Sequence, residues 1–166
     1  HKGHLYAGTG TWDWHKGSIG GVYGATHVYR YEGGTKWVDC GQVGEGSRLF
    51  SMASFDGDLY TSDDMKKVYR YMGDNSWVCC GVLENERQVN AMSIYKENLY
   101  GATHGSVYRY DDKAIWTCVG KKPFGVTQIH KLQVYEGKLY AGTWPKGQIL
   151  RYESDNVWSD CGSIGI

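Results

Sequence analysis

Seven residues with side chains suited to ligand binding stand outside the regular spacing of this sequence. They are Trp12, Trp14, His15, Arg48, Arg87, His104 and Trp144. Exposed indole rings stack on sugar rings or anchor protein interfaces, because they combine an apolar face with a polar edge. Arginine and histidine supply hydrogen-bond donors beside them. The set therefore predicts recognition of a glycan or of a protein.

The other titratable residues form no catalytic or metal-binding pattern. The six histidines come from separate segments, no HExxH spacing occurs, and His27 and His104 share the context Ala-Thr-His. Asp63 and Asp64 could ligate calcium with loop carbonyls, but two acids in one turn are more often solvated. A glycosidase needs only two carboxylates from any two segments, and nothing singles out such a pair. We predict no cofactor and no metal, and we lean towards a protein that is not an enzyme.

The charge balance and hydropathy exclude two classes of partner. Lysine plus arginine and aspartate plus glutamate both number 18, so the formal net charge is zero. Bulk electrostatics therefore favour neither nucleic acid nor an anionic membrane. No apolar run approaches the length needed to cross a bilayer. The sequence carries no recognisable address, so the compartment stays open, and an extracellular location is compatible with it.

The five cysteines follow the same spacing as a recurring tryptophan. Three of them stand three residues after it and two stand two residues after it: Cys40, Cys80 and Cys161, then Cys79 and Cys118. Equivalent positions in separate repeats should lie too far apart for a disulfide, and the spacing fits no zinc site. We expect small buried or half-buried side chains. A disulfide framework is the alternative.

The elements that position these residues are four copies of one unit. Trp37, Trp77, Trp116 and Trp158 stand 40, 39 and 42 residues apart, and each follows a tyrosine by six residues. Each unit also contains a Leu-Tyr pair and a sequence close to Val-Tyr-Arg-Tyr. A fixed interval between unlike residues, kept four times, indicates an internal repeat.

Each complete unit reads as four antiparallel strands. A short apolar stretch is closed by DGD, KEN or EGK, and such clusters make tight hairpins. The Leu-Tyr strand, the period-two VYRY strand and the Trp strand follow. The sequence thus predicts an all-β fold, a β-propeller of four four-stranded blades of about 40 residues each. We place it in one domain, 1–166, with blades at about 4–43, 47–83, 87–120 and 127–162.

The units resemble two known repeat types. LYAGT followed by VYRYEGGTKW is similar to the Kelch repeat, with its glycine-rich second strand, then tyrosine, then tryptophan. RYEGGTKW also resembles the Asp-box motif of sialidase-like propellers, with Glu32 at the acidic place and Gly34 at the glycine. The other three copies depart from that motif, and the Kelch Gly-Gly pair is absent. The resemblance implies an architecture that hosts both enzymes and binding proteins.

The strand count predicts an incomplete first blade. Innermost strands precede the second, third and fourth Leu-Tyr pairs, but none precedes HLYAGT. Either GSIGI or a neighbouring chain completes that blade, or the sequence belongs to a larger propeller. An open ring would expose sheet edges and apolar blade faces. We favour an excerpt of a larger propeller or one half of an assembly, so a homo-oligomer or missing blades are expected.

Residues that recur in every unit are best explained by stacking, and residues that do not recur by function. Strand alternation puts the second-to-third connections and the links between blades on one face, here called the loop face. The hairpins after VYRY lie on the opposite, hairpin face. All seven residues named at the outset fall on the loop face, although Trp12 and Trp14 would equally suit a staple that holds their long loop.

The function predicted from the sequence is recognition of a glycan by the loop face, without catalysis. A protein-interaction scaffold is the first alternative. A fragment of a glycoside-processing propeller enzyme is the second.

Overall fold

The computed structural model describes residues 1–11, 25–83, 87–121 and 123–164. Within these residues the chain is almost entirely strand and turn, with one short 3₁₀ turn at Pro123–Gly125. None of the described helical segments has the length and apolar character of a membrane span. The all-β class predicted from the sequence is therefore confirmed.

The strands form four antiparallel sheets in chain order, which we call blades 1 to 4. Blade 1 contains β1 (Tyr6–Gly8), β2 (His27–Tyr31) and β3 (Trp37–Gln42). Blade 2 contains β4 (Leu49–Phe55), β5 (Asp58–Asp63), β6 (Lys67–Gly73) and β7 (Ser76–Val82). Blade 3 contains β8 (Ala91–Tyr95), β9 (Asn98–Ala102), β10 (Ser106–Asp112) and β11 (Ile115–Lys121). Blade 4 contains β12 (Gln128–Tyr135), β13 (Lys138–Trp144), β14 (Gln148–Ser154) and β15 (Val157–Ser163).

Blade 1 has three strands within the described residues, whereas each of the other blades has four. The missing strand is the innermost one, as the strand count predicted. The register is the same in every blade: the Leu-Tyr tyrosine faces the repeated arginine, as in Tyr60 opposite Arg70 and Tyr100 opposite Arg109. One rule of pairing thus builds all four sheets.

Tight turns close the hairpins because their residues accept a left-handed backbone. Asp56 and Gly57 join β4 to β5 with φ of 48° and 76°, and Asp74 and Asn75 join β6 to β7 with φ of 46° and 59°. Two successive positive φ values are typical of the hairpin turn that matches strand twist. The clusters of glycine, aspartate and asparagine in the sequence therefore predicted these turns correctly.

Apolar clusters fill the junctions between successive blades. One cluster joins blades 1 and 2 around Val28, Cys40 and Tyr69, and a second joins blades 2 and 3 around Val68, Leu83 and Leu99. The third and largest joins blades 3 and 4. No blade has a core of its own, so each one is stabilised by stacking on its neighbours.

The repeated tryptophans tie the junctions together. Each packs on the tyrosine six residues before it, with ring centroids 4.9 to 5.2 Å apart. In blades 2, 3 and 4 the indole Nε1 also donates a hydrogen bond to a carbonyl of the preceding blade. The three bonds run from Trp77 to Cys40 (2.8 Å), from Trp116 to Cys80 (3.0 Å) and from Trp158 to Val119 (3.0 Å). The structural role predicted for the repeated tryptophans is confirmed.

The cysteines are all free thiols. Cys40 and Cys80 are buried and Cys118 is half-buried, as expected for small apolar side chains, but Cys79 and Cys161 are exposed. Cys161 occupies the same position in its blade as the two buried cysteines. Its exposure comes from its place in the fold, because no blade among the described residues packs on that side of blade 4.

Candidate binding surfaces

The loop face carries the long connections of the molecule. Its described residues are 9–11, 25–26, 64–66, 103–105 and 145–147 in the second-to-third connections, and 43–48, 83, 87–90 and 123–127 in the links between blades. The hairpin face consists of the turns at 56–57, 96–97, 136–137, 32–36, 74–75, 113–114 and 155–156.

One polar position closes the second-to-third connection in every blade. It is the fourth residue after the leucine of the Leu-Tyr pair: Thr9, Asp63, Thr103 and Thr143. The Thr103 hydroxyl donates to the Ser106 carbonyl (3.1 Å), and the Thr143 hydroxyl donates to the Gln148 carbonyl (2.9 Å). This position is therefore a local clamp on the loop.

In blade 2 the clamp is an aspartate. Asp63 is fully buried, and it accepts hydrogen bonds from the backbone N–H of Met65 and Lys67 (both 2.9 Å) and from the Tyr69 hydroxyl (3.1 Å). Burial raises the pKa of the Asp63 carboxyl, although these hydrogen bonds oppose the shift. Its acceptor capacity serves the turn, so Asp63 has a structural role.

Arg48 lies where the connections of blades 1 and 2 meet. Its Nε stands 3.5 Å from Asp64, and its guanidinium lies over the Phe50 ring, 5.0 Å from the centroid. Asp64 also accepts hydrogen bonds from the backbone N–H (2.9 Å) and the hydroxyl of Ser47. Arg48 is therefore held by an ion pair and a cation–π contact, and Asp64 serves this arrangement.

The other described candidates on the loop face occupy three further connections. Arg87 is exposed in the link between blades 2 and 3, and His104 is half-buried in the blade 3 connection. Trp144 ends β13 and is 53% exposed. Trp12, Trp14 and His15 lie outside the described residues. The chain enters that segment from Thr11, whose N–H donates to the carbonyl of Ser47, the neighbour of Arg48 (2.8 Å).

The hairpin face has a cleft at each of the three junctions between described blades. The cleft between blades 1 and 2 has a volume of about 210 Å³, that between blades 2 and 3 about 350 Å³, and that between blades 3 and 4 about 680 Å³. The repeated arginines line the second and third of these clefts through Arg70 and Arg109. The sequence prediction placed binding on the opposite face.

Three of the four repeated arginines pair with an acid two residues further along the same strand. The Nε of Arg30 donates to Glu32 (2.6 Å), that of Arg109 to Asp111 (2.9 Å) and that of Arg151 to Glu153 (2.6 Å). In blade 2 this acid is replaced by Met72, which is 56% exposed. The guanidinium of Arg70 pairs instead with Asp58, through Nη1 (3.2 Å).

The exchange leaves Arg70 incompletely paired. Its Nε is buried and has no hydrogen-bond partner among the described residues. Because the Arg70 side chain is 37% exposed, the rest of its guanidinium remains accessible from the cleft. A buried donor without an acceptor costs stability, and a ligand bound in this cleft could supply the missing acceptor.

The cleft between blades 2 and 3 combines this arginine with aromatic and acidic groups. Its lining residues are Phe55, Asp56, Asp58, Tyr60, Arg70, Asn98, Tyr110, Asp111 and Asp112. Four carboxylates thus face one guanidinium. The rings of Tyr60 and Tyr110 lie edge to face, with centroids 6.0 Å apart, and burial raises the pKa of Tyr60 to about 12. Tyr60 therefore stays protonated and keeps its hydroxyl donor at physiological pH.

The cleft between blades 3 and 4 is larger, but its arginine is fully engaged. Arg109 donates to Asp111 on its own strand and, through Nη1, to both carboxylate oxygens of Asp155 in blade 4 (2.8 and 2.9 Å). Asp155 also accepts from the Tyr152 hydroxyl. This hydrogen bond and the Arg109 guanidinium lower the pKa of the Asp155 carboxyl. The polar groups here bind one another across the junction.

Sequence reasoning treated all four repeated arginines as structural and so missed the difference of Arg70. The signal was present as RYE, RYM, RYD and RYE, in which one copy lacks the acid. A second signal was Asp58, which stands where the other units have histidine, asparagine and lysine. Neither signal could be interpreted from the sequence alone, because only the structure shows that these two positions lie beside the arginine.

The described residues contain no group of three or more metal-ligating side chains close enough to hold a metal ion.

No protein-family model matches the chain, and no curated protein matches it. Solved structures do. Virginiamycin B lyase from Staphylococcus aureus matches with a TM-score of 0.73 and 15% identity, over 96% of this chain and 56% of its own. YCF48 from Cyanidioschyzon merolae matches with a TM-score of 0.59 and 12% identity, over 82% of this chain and 53% of its own.

The chain has a β-propeller fold. At such low identities the likeness establishes the fold alone. A third neighbour is the extracellular domain of a hybrid two-component system from B. thetaiotaomicron, with a TM-score of 0.60 and 16% identity, over 95% of this chain and 23% of its own. The chain spans just over half the length of the lyase and of YCF48, so it corresponds to part of a propeller of that size.

Proposed function

We propose that the protein is a recognition module without catalytic activity, and that its ligand is a glycan bound in the cleft between blades 2 and 3. The observation that carries the proposal is Arg70. It alone among the repeated arginines lacks the acid at the second following position, and its guanidinium faces a cleft of about 350 Å³. A volume of this order suits a small ligand of one or two rings.

The chemistry of the cleft favours a neutral ligand rich in hydroxyl groups. An anion would meet four carboxylates and only one guanidinium. A cation would be attracted by the carboxylates but could not accept a hydrogen bond from the unpartnered Nε of Arg70. A sugar hydroxyl donates to a carboxylate and accepts from a guanidinium, so it satisfies both kinds of group at once. The half-buried rings of Phe55 and Tyr110 border the cleft and offer apolar surface for a sugar ring.

The test is a glycan array followed by titration of the best ligand, with variants that act on Arg70 in opposite ways. Arg70→Ala removes the donor, and we expect binding to fall roughly tenfold or more, as for the loss of a charged hydrogen bond. Met72→Glu installs the acid of the other blades. We expect it to occupy Arg70, to weaken binding, and to leave thermal stability unchanged or slightly higher.

The matched control is Met65→Glu, which adds the same charge on the loop face at another exposed methionine. It should leave binding unchanged. Arg151→Ala is the control for loss of a repeated arginine, because Arg151 pairs with Glu153 and lines none of the three clefts. Full binding by both Arg70→Ala and Met72→Glu would contradict the site.

The loop face remains a second place for the same function. Trp144 is exposed there, and Trp12, Trp14, His15, Arg48, Arg87 and His104 belong to the same predicted surface. A Trp12→Ala/Trp144→Ala double variant tests it: loss of binding in this variant, with Arg70→Ala unaffected, would move the glycan site to the loop face. If the folded protein binds no glycan, the Kelch-like resemblance favours a protein-interaction scaffold, which pull-downs would test.

An enzymatic role is the remaining alternative. Virginiamycin B lyase is an enzyme by its name, but the similarity of 15% identity supports the fold only. Turnover of a panel of chromogenic glycosides, abolished by one carboxylate substitution such as Asp58→Asn or Asp112→Asn, would replace the recognition proposal by a glycoside-processing one.

A further inference from the structure

The two outward faces of the described arc expose residues whose counterparts at the internal junctions are buried or half-buried. On blade 1 the repeated Trp37 is 42% exposed, whereas Trp158 at the same position is 7% exposed. Leu5 is 61% exposed, whereas its counterparts are nearly inaccessible: Leu59, Leu99 and Leu139 at 4%, 0% and 0%. We call this surface, formed by Leu5 and Trp37, the leading face.

Blade 4 shows the same contrast on its opposite side. Ile164 is 84% exposed, although Val43 and Leu83 at the equivalent position are 0% and 1% exposed. The local backbone is the same in all three, because each N–H donates to a carbonyl at the end of its own second-to-third connection (2.8 to 3.0 Å). Cys161 is exposed where Cys40 and Cys80 are buried. We call the surface of Cys161, Gly162 and Ile164 the trailing face.

By analogy with the internal junctions, Trp37 of the leading face is the residue that inserts, here called the plug. The surface of Cys161 and Gly162 on the trailing face is the one that receives it, here called the socket. At the junctions between blades 2 and 3 and between blades 3 and 4, the tryptophan of one blade lies over the glycine that follows its carbonyl acceptor. A Cβ added at Gly81 would stand 2.2 Å from Nε1 of Trp116, and one added at Gly120 would stand 2.4 Å from Nε1 of Trp158. Gly162 is the next glycine of this series, and a Cβ there would meet nothing within 4 Å.

The chain does not fill its own socket. Trp37 and the region of Cys161 and Gly162 are both exposed, so blades 1 and 4 do not close into a four-bladed ring. The chain corresponds to 56% and 53% of the lengths of two propeller chains, so the arc it forms is about half of such a ring. One further arc of the same kind is therefore enough to complete it.

We propose that the leading and trailing faces are docking surfaces for a second copy of this chain, which associates head to tail. Trp37 of each copy packs over Gly162 of the other and donates its Nε1 hydrogen bond to the Cys161 carbonyl. Two such junctions related by a twofold axis close the assembly and cover both the leading and the trailing face of each copy. The product has eight blades, within the range known for propellers. The surfaces continue an interface that the chain already makes three times.

Sedimentation velocity tests the assembly over a range of protein concentrations. We expect a species of twice the 18.7 kDa chain mass that dissociates on dilution. Trp37→Ala and Gly162→Ala should each weaken association roughly a hundredfold or more, because each damages both junctions of the ring. Val157→Ala, which changes another exposed residue of β15, is the control and should leave association unchanged. A chain that stays monomeric at all concentrations would overturn the proposal.

Mixing the two variants tests the head-to-tail arrangement itself. The Trp37→Ala chain retains its socket and the Gly162→Ala chain retains its plug, so the mixture can form one undamaged junction. We expect the mixture to contain a heterodimer at concentrations where each variant alone is monomeric. If the dimer used one patch twice, mixing would restore nothing, and the arrangement would be refuted.

A cross-link covers the case in which a variant folds poorly. At the junction between blades 3 and 4 the hairpin residue two before the tryptophan lies beside the acceptor carbonyl, because the N–H of Asn156 donates to the carbonyl of Val119 (2.8 Å). Thr35 is the equivalent residue of blade 1. In a Cys79→Ser background, Thr35→Cys should be joined to Cys161 of another copy by a short bis-maleimide, giving a closed covalent dimer. Failure to cross-link at concentrations well above the dissociation constant would contradict the geometry.

Discussion

Trp158 and Trp37 hold the same position in two copies of one repeat, yet they differ in burial and in hydrogen bonding. Trp158 is 7% exposed and donates to a carbonyl of blade 3, whereas Trp37 is 42% exposed and packs against no preceding blade among the described residues. Both make the same contact with their own tyrosine, at 5.2 and 5.0 Å. The difference shows that each blade sets the local packing of its own tryptophan on its tyrosine. The adjacent blade determines how much that tryptophan is buried and therefore how much it stabilises the fold.

The largest expected effect is the loss of stability when each of these two tryptophans is removed. Trp158→Ala should cost about 3 to 5 kcal/mol of unfolding free energy, because it removes a buried ring and leaves a cavity. Trp37→Ala should cost clearly less, about 1 to 2 kcal/mol in the monomer, since 42% of the residue is already exposed to water. Urea unfolding at low protein concentration, where association does not contribute, measures both. If both substitutions cost the same unfolding free energy, packing against the preceding blade would add nothing to the contact of the tryptophan with its own tyrosine.

A second prediction concerns a feature that should not depend on neighbours. Asp63→Ala should cost about 2 to 3 kcal/mol, because it leaves three donors of the blade 2 connection without their acceptor. Asp63→Asn retains one acceptor oxygen and should cost clearly less.

Thermal unfolding compares the two Asp63 variants with Thr143→Val in blade 4, whose clamp makes one hydrogen bond. The Thr143 change should cost about 1 kcal/mol even though blade 4 lies at an end of the arc. A negligible cost there would show that the clamp also needs a following blade.

The smallest effect concerns charge across a junction. The folded-state pKa of Asp155 is lowered below its ordinary value of 3.8 by the hydrogen bond from Tyr152 and by Arg109. A lowered carboxyl pKa means that the stability it contributes is complete above pH 3.8 and is lost as the pH falls through the folded-state value. Because Asp155 is 44% exposed, the contribution should stay below about 1 kcal/mol.

Melting temperature between pH 2 and 6 checks this, with Asp155→Asn as the comparison. The wild type should be the more stable protein at pH 6, and the difference should shrink as the pH falls below 3.8. A difference that is constant over the whole range would attribute the effect to packing.

The sequence predicted the fold well because the same spacing of residues occurs four times and each copy supports the others. The interval between Tyr31 and Trp37 recurs in all four units, and the missing inner strand of blade 1 could be counted from the Leu-Tyr pairs. The candidate site was harder. The pairing of Arg70 with Asp58 depends on the register between β5 and β6, which brings residues 12 positions apart into contact. The clefts depend on how one blade lies against the next, and no local pattern encodes that distance.

The indole hydrogen bonds from blades 2, 3 and 4 to the preceding blade give the three described junctions the same direction along the chain. A unit gives a donor to the blade before it and an acceptor to the blade after it. Inserting or deleting a whole unit of about 40 residues therefore leaves each junction chemically unchanged. Gene duplication can lengthen such a protein without inventing a new contact, and the number of blades is then limited only by the angle at which the ring closes.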